Sequence, residues 1–304
     1  MKKAIVTGAS GFVGSWLVRR LLENGVRVTA VELPGNANIK RLPVHENLSI
    51  VFCEPSGELS LSQIIKDRGF DVFYNLAWNG AGGPNRANYT IQLHNVKMCL
   101  DYLTAADSLQ CDKFISVGTI GEYMAELAAN NNIVSENFMY ATCKSFTEKM
   151  LRIAAHKLSC QFIWCTFCGL YGPGDGTPNL VNYTIKNLLN GVSPQYGPAE
   201  QPFDFLHISD CVNALYLIGK SNTAVNSFFI GSGSPRPLKE FLYAIQQAVC
   251  PQIKVGIGER PDDGTVYKLE WYDIQSLVKE TGFKPNYSFQ SGILETAEWL
   301  KTQL

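Results

Sequence analysis

Six short, continuously apolar runs alternate with helical patterns through the first half of the chain. Strands that are buried on both faces lack the polar positions that alternate along a half-exposed strand, so they form unbroken apolar runs. This burial arises when helices cover both faces of a parallel sheet. The sequence therefore predicts an α/β fold with a doubly wound parallel sheet. The predicted strands are 4–7, 26–32, 48–52, 71–77, 113–117 and 161–167.

A glycine-rich turn, T-G-A-S-G-F-V-G at residues 7–14, joins the first predicted strand to the first predicted helix. Glycines at such a junction let the backbone approach a pyrophosphate, and the helix N-terminus offers it N–H groups. The position predicts a Rossmann-type dinucleotide site, although glycines needed only for close packing are the alternative. The expected cofactor contacts in this turn are Gly8, Ser10, Gly11, Phe12, Val13 and Gly14.

An acidic residue, Glu32, ends the second predicted strand. At this position a carboxylate can accept hydrogen bonds from the adenosine ribose hydroxyls, and it would repel a 2′-phosphate. The sequence therefore favours NAD over NADP as the cofactor. Lys40 or Arg41 could offset the repulsion, so NADP stays open as an alternative.

The regular alternation stops near residue 171, where segments rich in glycine and proline begin. Shorter elements between such breaks are typical of a smaller lobe at the carboxyl-terminal edge of the sheet, where open α/β folds bind ligands. We expect a dinucleotide-binding Rossmann domain over 1–172, with 202–231 returning to it. We expect 173–201 and 232–304 to form a smaller, C-terminal substrate-binding lobe.

A tyrosine and a lysine, Tyr140 and Lys144, are spaced four residues apart on a predicted helix, so both side chains project from one face. A nearby cation favours the phenolate and lowers the pKa of a tyrosine from about 10. Proton transfer near neutral pH then becomes feasible. This pairing is common by chance, but here it follows a fifth strand that carries Thr119 at its end.

Together these motifs resemble the extended branch of the short-chain dehydrogenase/reductase superfamily, and most closely its NAD-dependent nucleotide-sugar epimerases and dehydratases. The resemblance covers nearly the whole chain and is specific in the order of its motifs. Further matching motifs are N-L-A at 75–77, Asn95, Y-G-P-G-D at 171–175, D-F-L-H-I-S-D at 204–210 and R-P-D-D at 260–263.

The resemblance implies a role for each matching residue. Tyr140 would be the acid/base on the substrate hydroxyl, and Thr119 would hydrogen-bond the reacting oxygen. Lys144 would bind the nicotinamide ribose and tune Tyr140. Arg260 would contact the diphosphate of a nucleotide sugar, or form a salt bridge between the lobes. Further implied contacts are Leu76, Ala77 and Asn95 with the cofactor, and Trp78 and Asn179 with the substrate; packing is an equal alternative for Trp78.

Three departures from the family pattern limit what the resemblance implies. In the 4,6-dehydratases the catalytic threonine is followed by Asp-Glu, whereas here Ile120 and Gly121 follow it, so elimination of water has no obvious agent. Phe203 stands where many relatives have an arginine near the diphosphate, and Gly169 stands where many have a substrate-binding asparagine. The nucleotide and the sugar therefore stay open.

The function expected first is an epimerase that inverts C4 of a nucleotide-linked hexose through a 4-keto intermediate. The alternative is an NAD(P)H-dependent 4-ketoreductase that uses the same residues on a nucleotide-linked 4-keto-6-deoxy sugar. A protein of another class, an idle dinucleotide-binding scaffold, is a third possibility, because fold does not imply function. The presence of Thr119, Tyr140 and Lys144 together argues against that third reading.

The charge balance gives no sign of a nucleic-acid partner. The chain has 26 lysines and arginines against 27 aspartates and glutamates, for a formal net charge of -1, and so shows no basic excess. No apolar run approaches the roughly 20 residues of a membrane span, and glycines interrupt any N-terminal signal core. We expect a cytoplasmic protein with no membrane segment.

Nine cysteines are scattered through apolar segments, which is typical of reduced, buried thiols. Cys165 and Cys168 have CxxC spacing, but no second pair follows, and the four histidines lie far apart. We therefore expect no metal site.

The long helices predicted over 88–109 and 139–158 carry more apolar residues than one buried stripe requires. The additional apolar residues favour a homodimer, but burial in the core of a single chain explains them equally well.

Overall fold

The computed structural model describes residues 1–54, 60–262, 264 and 266–303. The strands, in chain order, are β1 (Lys3–Thr7), β2 (Arg27–Glu32), β3 (Leu48–Phe52), β4 (Val72–Asn75), β5 (Lys113–Thr119), β6 (Gln161–Phe167), β7 (Leu170–Tyr171), β8 (Pro202–Phe203), β9 (Leu206–His207), β10 (Ser227–Ile230) and β11 (Arg236–Pro237). The helices are α1 (Phe12–Glu23), α2 (Leu61–Ile64), α3 (Tyr89–Ser108), α4 (Gly121–Asn130), α5 (Met139–Ala155), α6 (Leu180–Leu189), α7 (Ile208–Lys220), α8 (Leu238–Val249), α9 (Gln275–Thr281) and α10 (Phe289–Lys301).

Seven strands form the central sheet, in the order β10-β6-β5-β4-β1-β2-β3. The pairs β1–β2, β2–β3, β1–β4 and β4–β5 are parallel. Strands β1 and β4 are almost wholly buried, which is the physical origin of their unbroken apolar sequences. The predicted doubly wound parallel sheet is confirmed, and each of the six predicted strands is present.

The strand order reverses between β1 and β4, and this is the place where open α/β sheets bind ligands. Buried polar side chains tie the carboxyl ends of the strands together here. The Thr7 hydroxyl donates to Asn75 Oδ1 at 3.0 Å, and Asn75 Nδ2 donates to the Ser116 hydroxyl at 3.1 Å. The Thr7 hydroxyl also accepts the Ala77 N–H at 3.3 Å, so the chain leaving β4 is held beside the end of β1.

Helix α1 follows the glycine turn directly. Leu17, Val18 and Leu21 lie on its buried face and are fully buried. The helix ends before Asn24, and Gly25 continues the chain with a φ of +71°, a left-handed conformation that favours glycine. Asn24 and Gly25 therefore act as the stop signal of this helix.

The described chain divides into two compact units. The first contains residues 1–166, 212–228 and 279–282, and the second contains 167–211, 229–278 and 283–304. The predicted domains placed 167–172 and 202–211 with the cofactor-binding part. These segments belong to the second unit because β7 pairs with β9 and Tyr171 packs against Phe205 and Phe289. The roles assigned to the two domains stay predictions.

Each unit has its own core. In the first, α3 and α5 pack on each other beside the sheet, around residues such as Phe73, Phe114 and Trp164. In the second, α6, α8 and α10 enclose an apolar core that includes Phe241 and Ile293. No helix among the described residues is both long and apolar enough to cross a membrane, and no group of three or more His, Cys, Asp or Glu in that part of the chain could hold a metal ion.

Candidate active site

The glycine turn is closed tightly against the neighbouring strand and helix. Gly8 has a φ of +64°, and a β-carbon there would lie 3.0 Å from the backbone of Ala77. A β-carbon at Gly14 would overlap the carbonyl oxygen of Gly8, so only glycine lets α1 begin this close to the turn. The predicted contacts Leu76 and Ala77 thus lie directly beside Gly8.

The N-terminus of α1 suits an anionic ligand. The helix begins at Phe12 and Val13 after Gly11, no side chain among the described residues caps it, and its first turn carries no acidic residue. The first N–H groups of a helix have no intrahelical acceptor and form the positive end of the helix dipole. They fit the pyrophosphate of a dinucleotide.

Glu32 lies buried at the carboxyl end of β2, next to this turn. Its Oε1 accepts the N–H of Ser10, and its Oε2 accepts Nδ2 of Asn36 at 2.6 Å. Asn36 Nδ2 also donates to the Ser10 hydroxyl at 3.0 Å, so the three side chains form one network. Sequence reasoning missed Asn36 because a polar residue in a loop gives no signal until the loop folds back. The network fixes the position of the Glu32 carboxylate, and the contact of this carboxylate with an adenosine ribose stays a prediction.

A second cluster lies on the same unit, around the N-terminus of α5. Tyr140 is in the first turn of this helix, and Lys144 follows one turn later. The Lys144 ammonium is buried, donates to the Val117 carbonyl oxygen at 2.7 Å and lies 3.9 Å from the centre of the Trp78 ring. Burial lowers the pKa of Lys144 below its usual range. Trp78 also meets Tyr140 edge to face, with the ring centres 5.9 Å apart.

The Tyr140 phenol is buried, and this burial raises its pKa to about 12. A cation opposes the shift: the Arg86 guanidinium carbon lies 4.5 Å from the centre of the Tyr140 ring and lowers the pKa. Glu122 raises it slightly further. Arg86 was not predicted from the sequence, since a single arginine in a loop after the fourth strand matches no motif.

Thr119 ends β5 near the start of α5. Its hydroxyl oxygen accepts the Gly121 N–H at 3.3 Å, and its own N–H donates to Glu122 Oε1 at 2.6 Å. A β-carbon at Gly121 would lie 3.3 Å from Ala141, the neighbour of Tyr140, and 3.6 Å from the Thr119 hydroxyl oxygen. The structure thus brings Thr119 close to the first turn of α5.

Glu122 is a site residue that the sequence reasoning missed. Its carboxylate is buried and accepts the indole N–H of Trp164 at 3.3 Å in addition to the Thr119 N–H. Burial raises the pKa of Glu122 above its usual range, and the positive charge of Lys144 opposes this shift. The signal was present, because an acidic residue in the first turn after a strand suits a helix N-terminus.

Trp78 and Asn95 have partners within the protein. The Trp78 indole N–H donates to Gln92 Oε1 at 2.8 Å. The Asn95 side chain accepts the Asn79 N–H at 2.9 Å and donates to the Asn79 carbonyl oxygen at 2.8 Å. Both therefore hold the loop after β4, and their contacts with a sugar or a cofactor stay predictions.

The two predicted substrate residues of the second unit, Asn179 and Arg260, differ from each other in their surroundings. Asn179 caps α6: its Oδ1 accepts the Asn182 N–H at 2.8 Å and its Nδ2 donates to Asp175 at 2.7 Å. Arg260 is exposed and donates to the Tyr183 hydroxyl at 3.2 Å. Substrate binding by either residue stays a prediction. Of the R-P-D-D motif, Asp263 lies outside the described residues.

The two departures in the second unit have structural reasons. Gly169 has a φ of +50°, and a β-carbon there would overlap the Asp204 carbonyl oxygen. The close backbone approach therefore leaves no room for the asparagine side chain seen in many relatives. Phe203 packs its ring against Phe205, with centres 4.8 Å apart, and against Tyr267 at 5.7 Å. Its position belongs to an aromatic cluster.

The sheet, its switch point and the glycine turn together define an α/β dinucleotide-binding protein. A model of the NAD dependent epimerase/dehydratase family matches residues 4–231, and the chain belongs to this family. The resemblance seen in the sequence is thus confirmed. The predictions of an enzyme and of NAD as its cofactor are confirmed at the level of the family, which is NAD-dependent.

Known proteins of similar sequence and structure support this assignment. The chain is 26% identical over 303 residues to CDP-abequose synthase from Salmonella typhimurium, with 96% of each chain covered. It resembles the structure of UDP-N-acetylglucosamine 4-epimerase from Methanobrevibacter ruminantium M1 in complex with UDP-N-acetylmuramic acid, with a TM-score of 0.82, 25% identity, and 100% and 99% of the chains covered. UDP-glucuronic acid 4-epimerase from Bacillus cereus in complex with UDP-glucuronic acid and NAD gives a TM-score of 0.78 at 21% identity, covering 99% and 100%.

Proposed function

We propose that this enzyme is an NAD-dependent nucleotide-sugar epimerase that inverts C4 of a hexose. The observation that carries the proposal is the buried Tyr140 phenol, placed with Lys144, Trp78 and Thr119 in the unit that carries the glycine turn. The phenolate form of Tyr140 can take a proton from a sugar hydroxyl, and the phenol that results can return it. The 4-epimerases of similar structure support C4 as the reacting centre.

The residues of the chain fit the pyrophosphate and the adenosine half of NAD. The uncapped N-terminus of α1 suits the pyrophosphate, and Glu32, held by Ser10 and Asn36, suits a ribose diol. When bound, NAD supplies an acceptor and then a donor of hydride, which takes the sugar through a 4-keto form. Inversion at C4 would require a pocket in which the sugar can present either face.

In this mechanism Tyr140 holds and moves the proton of the C4 hydroxyl. The Thr119 hydroxyl donates a hydrogen bond to the reacting oxygen, where negative charge builds up. Lys144 sets the position of the surrounding backbone and rings through Val117 and Trp78. The apolar neighbours of Tyr140 limit access of water to the transferred proton.

The raised pKa of Glu122 does not by itself make this residue the acid of a dehydratase. Both of its oxygens are already acceptors, one for the Thr119 N–H and one for the Trp164 indole. A dehydratase needs an acid that can give a proton to a departing hydroxyl. The position of Glu122 favours a structural role in orienting Thr119.

The proposal is tested by supplying the purified protein and NAD with a panel of nucleotide-linked hexoses and following the C4 configuration by NMR. Tyr140→Phe is expected to lower turnover by about 100-fold or more, because the proton acceptor is lost. Tyr243→Phe, at an exposed tyrosine of α8, is the matched control. Wild-type turnover in Tyr140→Phe would contradict the mechanism, and stoichiometric loss of NADH with 4-keto-6-deoxy sugars would establish the ketoreductase instead.

We also propose that the enzyme is a homodimer formed through α3 and α5. These helices pack on each other and leave large apolar side chains exposed. On α3 they are Tyr89 and Leu93, one turn apart, and on α5 they are Phe146 and Ile153, two turns apart. Apolar faces of this kind suit packing against the same helices of a second copy.

A reducing compartment, the cytoplasm, is the proposed place of action. All nine cysteines lie in the described part of the chain, and none of them forms a disulfide there. Eight of them are buried in the cores. Buried cysteines that form no disulfide are typical of proteins that stay in a reducing environment.

A further inference from the structure

We propose that Arg86 is a positioning residue of this reaction, a fixed cation that stabilises the ionised form of Tyr140. The inference rests on the proposed function, because in that function the phenolate of Tyr140 is the base. The charge interaction between Arg86 and Tyr140 does not itself depend on the substrate. Arg86 belongs to a 3-10 turn, Gly83–Ala87, in the loop between β4 and α3.

The contact between the two side chains is direct. The Arg86 guanidinium carbon lies 4.5 Å from the centre of the Tyr140 ring, and the arginine is half-buried. A guanidinium on an aromatic face gains cation–π attraction, and the attraction to the ring grows when the phenol ionises. An arginine keeps its charge at every pH at which the enzyme works.

The turn that carries Arg86 is held in place by a buried glutamine. Gln92 of α3 is fully buried, and its Nε2 donates to the carbonyl oxygens of Gly80 at 3.0 Å and Asn85 at 2.9 Å. Its Oε1 accepts the indole N–H of Trp78 at 2.8 Å. One side chain therefore fixes both the Arg86 turn and the Trp78 ring that packs on Tyr140. Arg86 itself donates to the Ala81 carbonyl oxygen at 3.2 Å, which orients the guanidinium.

The effect of Arg86 on the pKa of Tyr140 differs from that of the other charged groups nearby. Lys144, on the same helix, directs its ammonium to the Val117 carbonyl oxygen and the Trp78 ring, and Cys99 of α3 is a titratable neighbour of that ammonium. Glu122, from α4, acts in the opposite direction because its negative charge raises the pKa of Tyr140. Arg86 is the cation that lowers this pKa.

The expected effect is a change in the pH at which Tyr140 ionises. An opposite charge within about 4–6 Å lowers a pKa by roughly 1–3 units, and the half-exposed position of Arg86 favours the low end of that range. Arg86→Met should therefore raise the pKa of Tyr140 by about 1 unit. Because the base form is the phenolate, the rising limb of the pH profile of kcat/KM should move to higher pH by the same amount. In Arg86→Lys the rising limb of the pH profile should stay close to its wild-type position.

The direct test replaces Tyr140 with 3,5-difluorotyrosine, whose more acidic phenol titrates in a convenient pH range. The fluorine NMR shift of the full-length protein is then followed against pH without substrate, in the parent and in Arg86→Met and Arg86→Lys. Arg27→Met, at an exposed arginine at the start of β2, is the matched control and should leave the titration midpoint unchanged.

The outcomes separate this inference from the proposed function. A higher midpoint in Arg86→Met that Arg86→Lys restores supports the inference, whether or not any nucleotide sugar is turned over. An unchanged midpoint in a folded Arg86→Met protein overturns it, even if the protein is a 4-epimerase. An equal shift in Arg27→Met would also overturn it, because the effect would then come from net charge alone.

Discussion

At the scale of single residues, the buried ionisable groups control how the enzyme responds to pH. His207 of β9 is fully buried in the second unit, stacks on Tyr287 with ring centres 3.9 Å apart, and accepts the Ser209 N–H at Nδ1. Burial lowers its pKa to about 4. The Glu295 carboxylate lies 3.6 Å from Nε2, but it is 40% exposed, so hydration weakens its effect and burial dominates.

We expect His207 to make the protein sensitive to acid. The His207 imidazole takes up a proton below about pH 6.5 in the unfolded chain, but only below about pH 4 in the folded chain. The contribution of His207 to stability is therefore complete above pH 6.5 and is lost as the pH falls through about 4. The shift corresponds to roughly 3 kcal/mol in the free energy of unfolding. His207→Asn, whose amide oxygen can still accept the Ser209 N–H, should therefore lose less stability than wild type between these pH values.

Urea unfolding at pH 7 and pH 4 measures this difference. His156→Asn, at an exposed histidine just after α5, is the control and should follow the wild type. Equal losses of stability in wild type and His207→Asn would show that His207 is not the group that titrates.

The residues of the site differ in how far the sequence predicts them. The spacing of Tyr140 and Lys144 places both on one helix face, because helix geometry alone decides this. Arg86 and Asn36 belong to no local pattern, and Glu122 fits only the general preference for an acidic residue in the first turn of a helix. Such residues are identified only when the chain folds around the residues that the motifs mark.

At the scale of secondary-structure elements, the junction of β1, the turn and α1 decides whether a dinucleotide can bind. Gly14→Ala is expected to destabilise the protein by roughly 2 kcal/mol and to weaken NAD binding, because the new methyl group overlaps the Gly8 carbonyl oxygen. Helix α1 must then move away from the turn, and its N-terminal N–H groups move with it. Thermal unfolding and calorimetric titration with NAD measure the two effects.

Gly176→Ala is the matched control for this prediction. A β-carbon at Gly176 meets nothing within 4 Å, and its φ is not in the left-handed region. It should leave stability and NAD binding near the wild-type values. If Gly14→Ala bound NAD as wild type does, the turn would not be the pyrophosphate site.

Helices with a strong apolar sequence pattern were predicted well, and helices whose formation depends on tertiary packing were predicted poorly. The long helices were predicted over 88–109 and 139–158 and occur as α3 at Tyr89–Ser108 and α5 at Met139–Ala155. Helix α4 was not predicted; it has only ten residues, its buried positions are Glu122, Ala125 and Ala128, and it packs on α5. Short helices gain most of their stability from tertiary contacts, so their own sequence indicates them poorly.

At the scale of the whole molecule, the exposed apolar faces of α3 and α5 predict the oligomeric state. We expect the wild-type protein to have twice the 33.6 kDa mass of one chain in light scattering. Leu93→Glu combined with Ile153→Glu should give a monomer, because four buried carboxylates at a symmetric interface are too costly to desolvate. Val192→Glu, at an exposed apolar residue of the second unit, should leave the mass unchanged. A monomeric wild type would contradict the proposal.

The doubly wound sheet and the dinucleotide turn can be predicted from the sequence alone, because they depend on local periodicity and on glycines whose spacing carries a physical constraint. The family follows from a resemblance in the order of the motifs. The residues that surround Tyr140 become known only from the tertiary structure. It brought Arg86 onto the tyrosine ring, placed Glu122 between the Thr119 N–H and Trp164, and closed Gly169 against Asp204. Apart from the contact between Thr119 and Glu122, these contacts join segments distant along the chain. Their geometry depends on how helices pack on the sheet rather than on any repeating pattern.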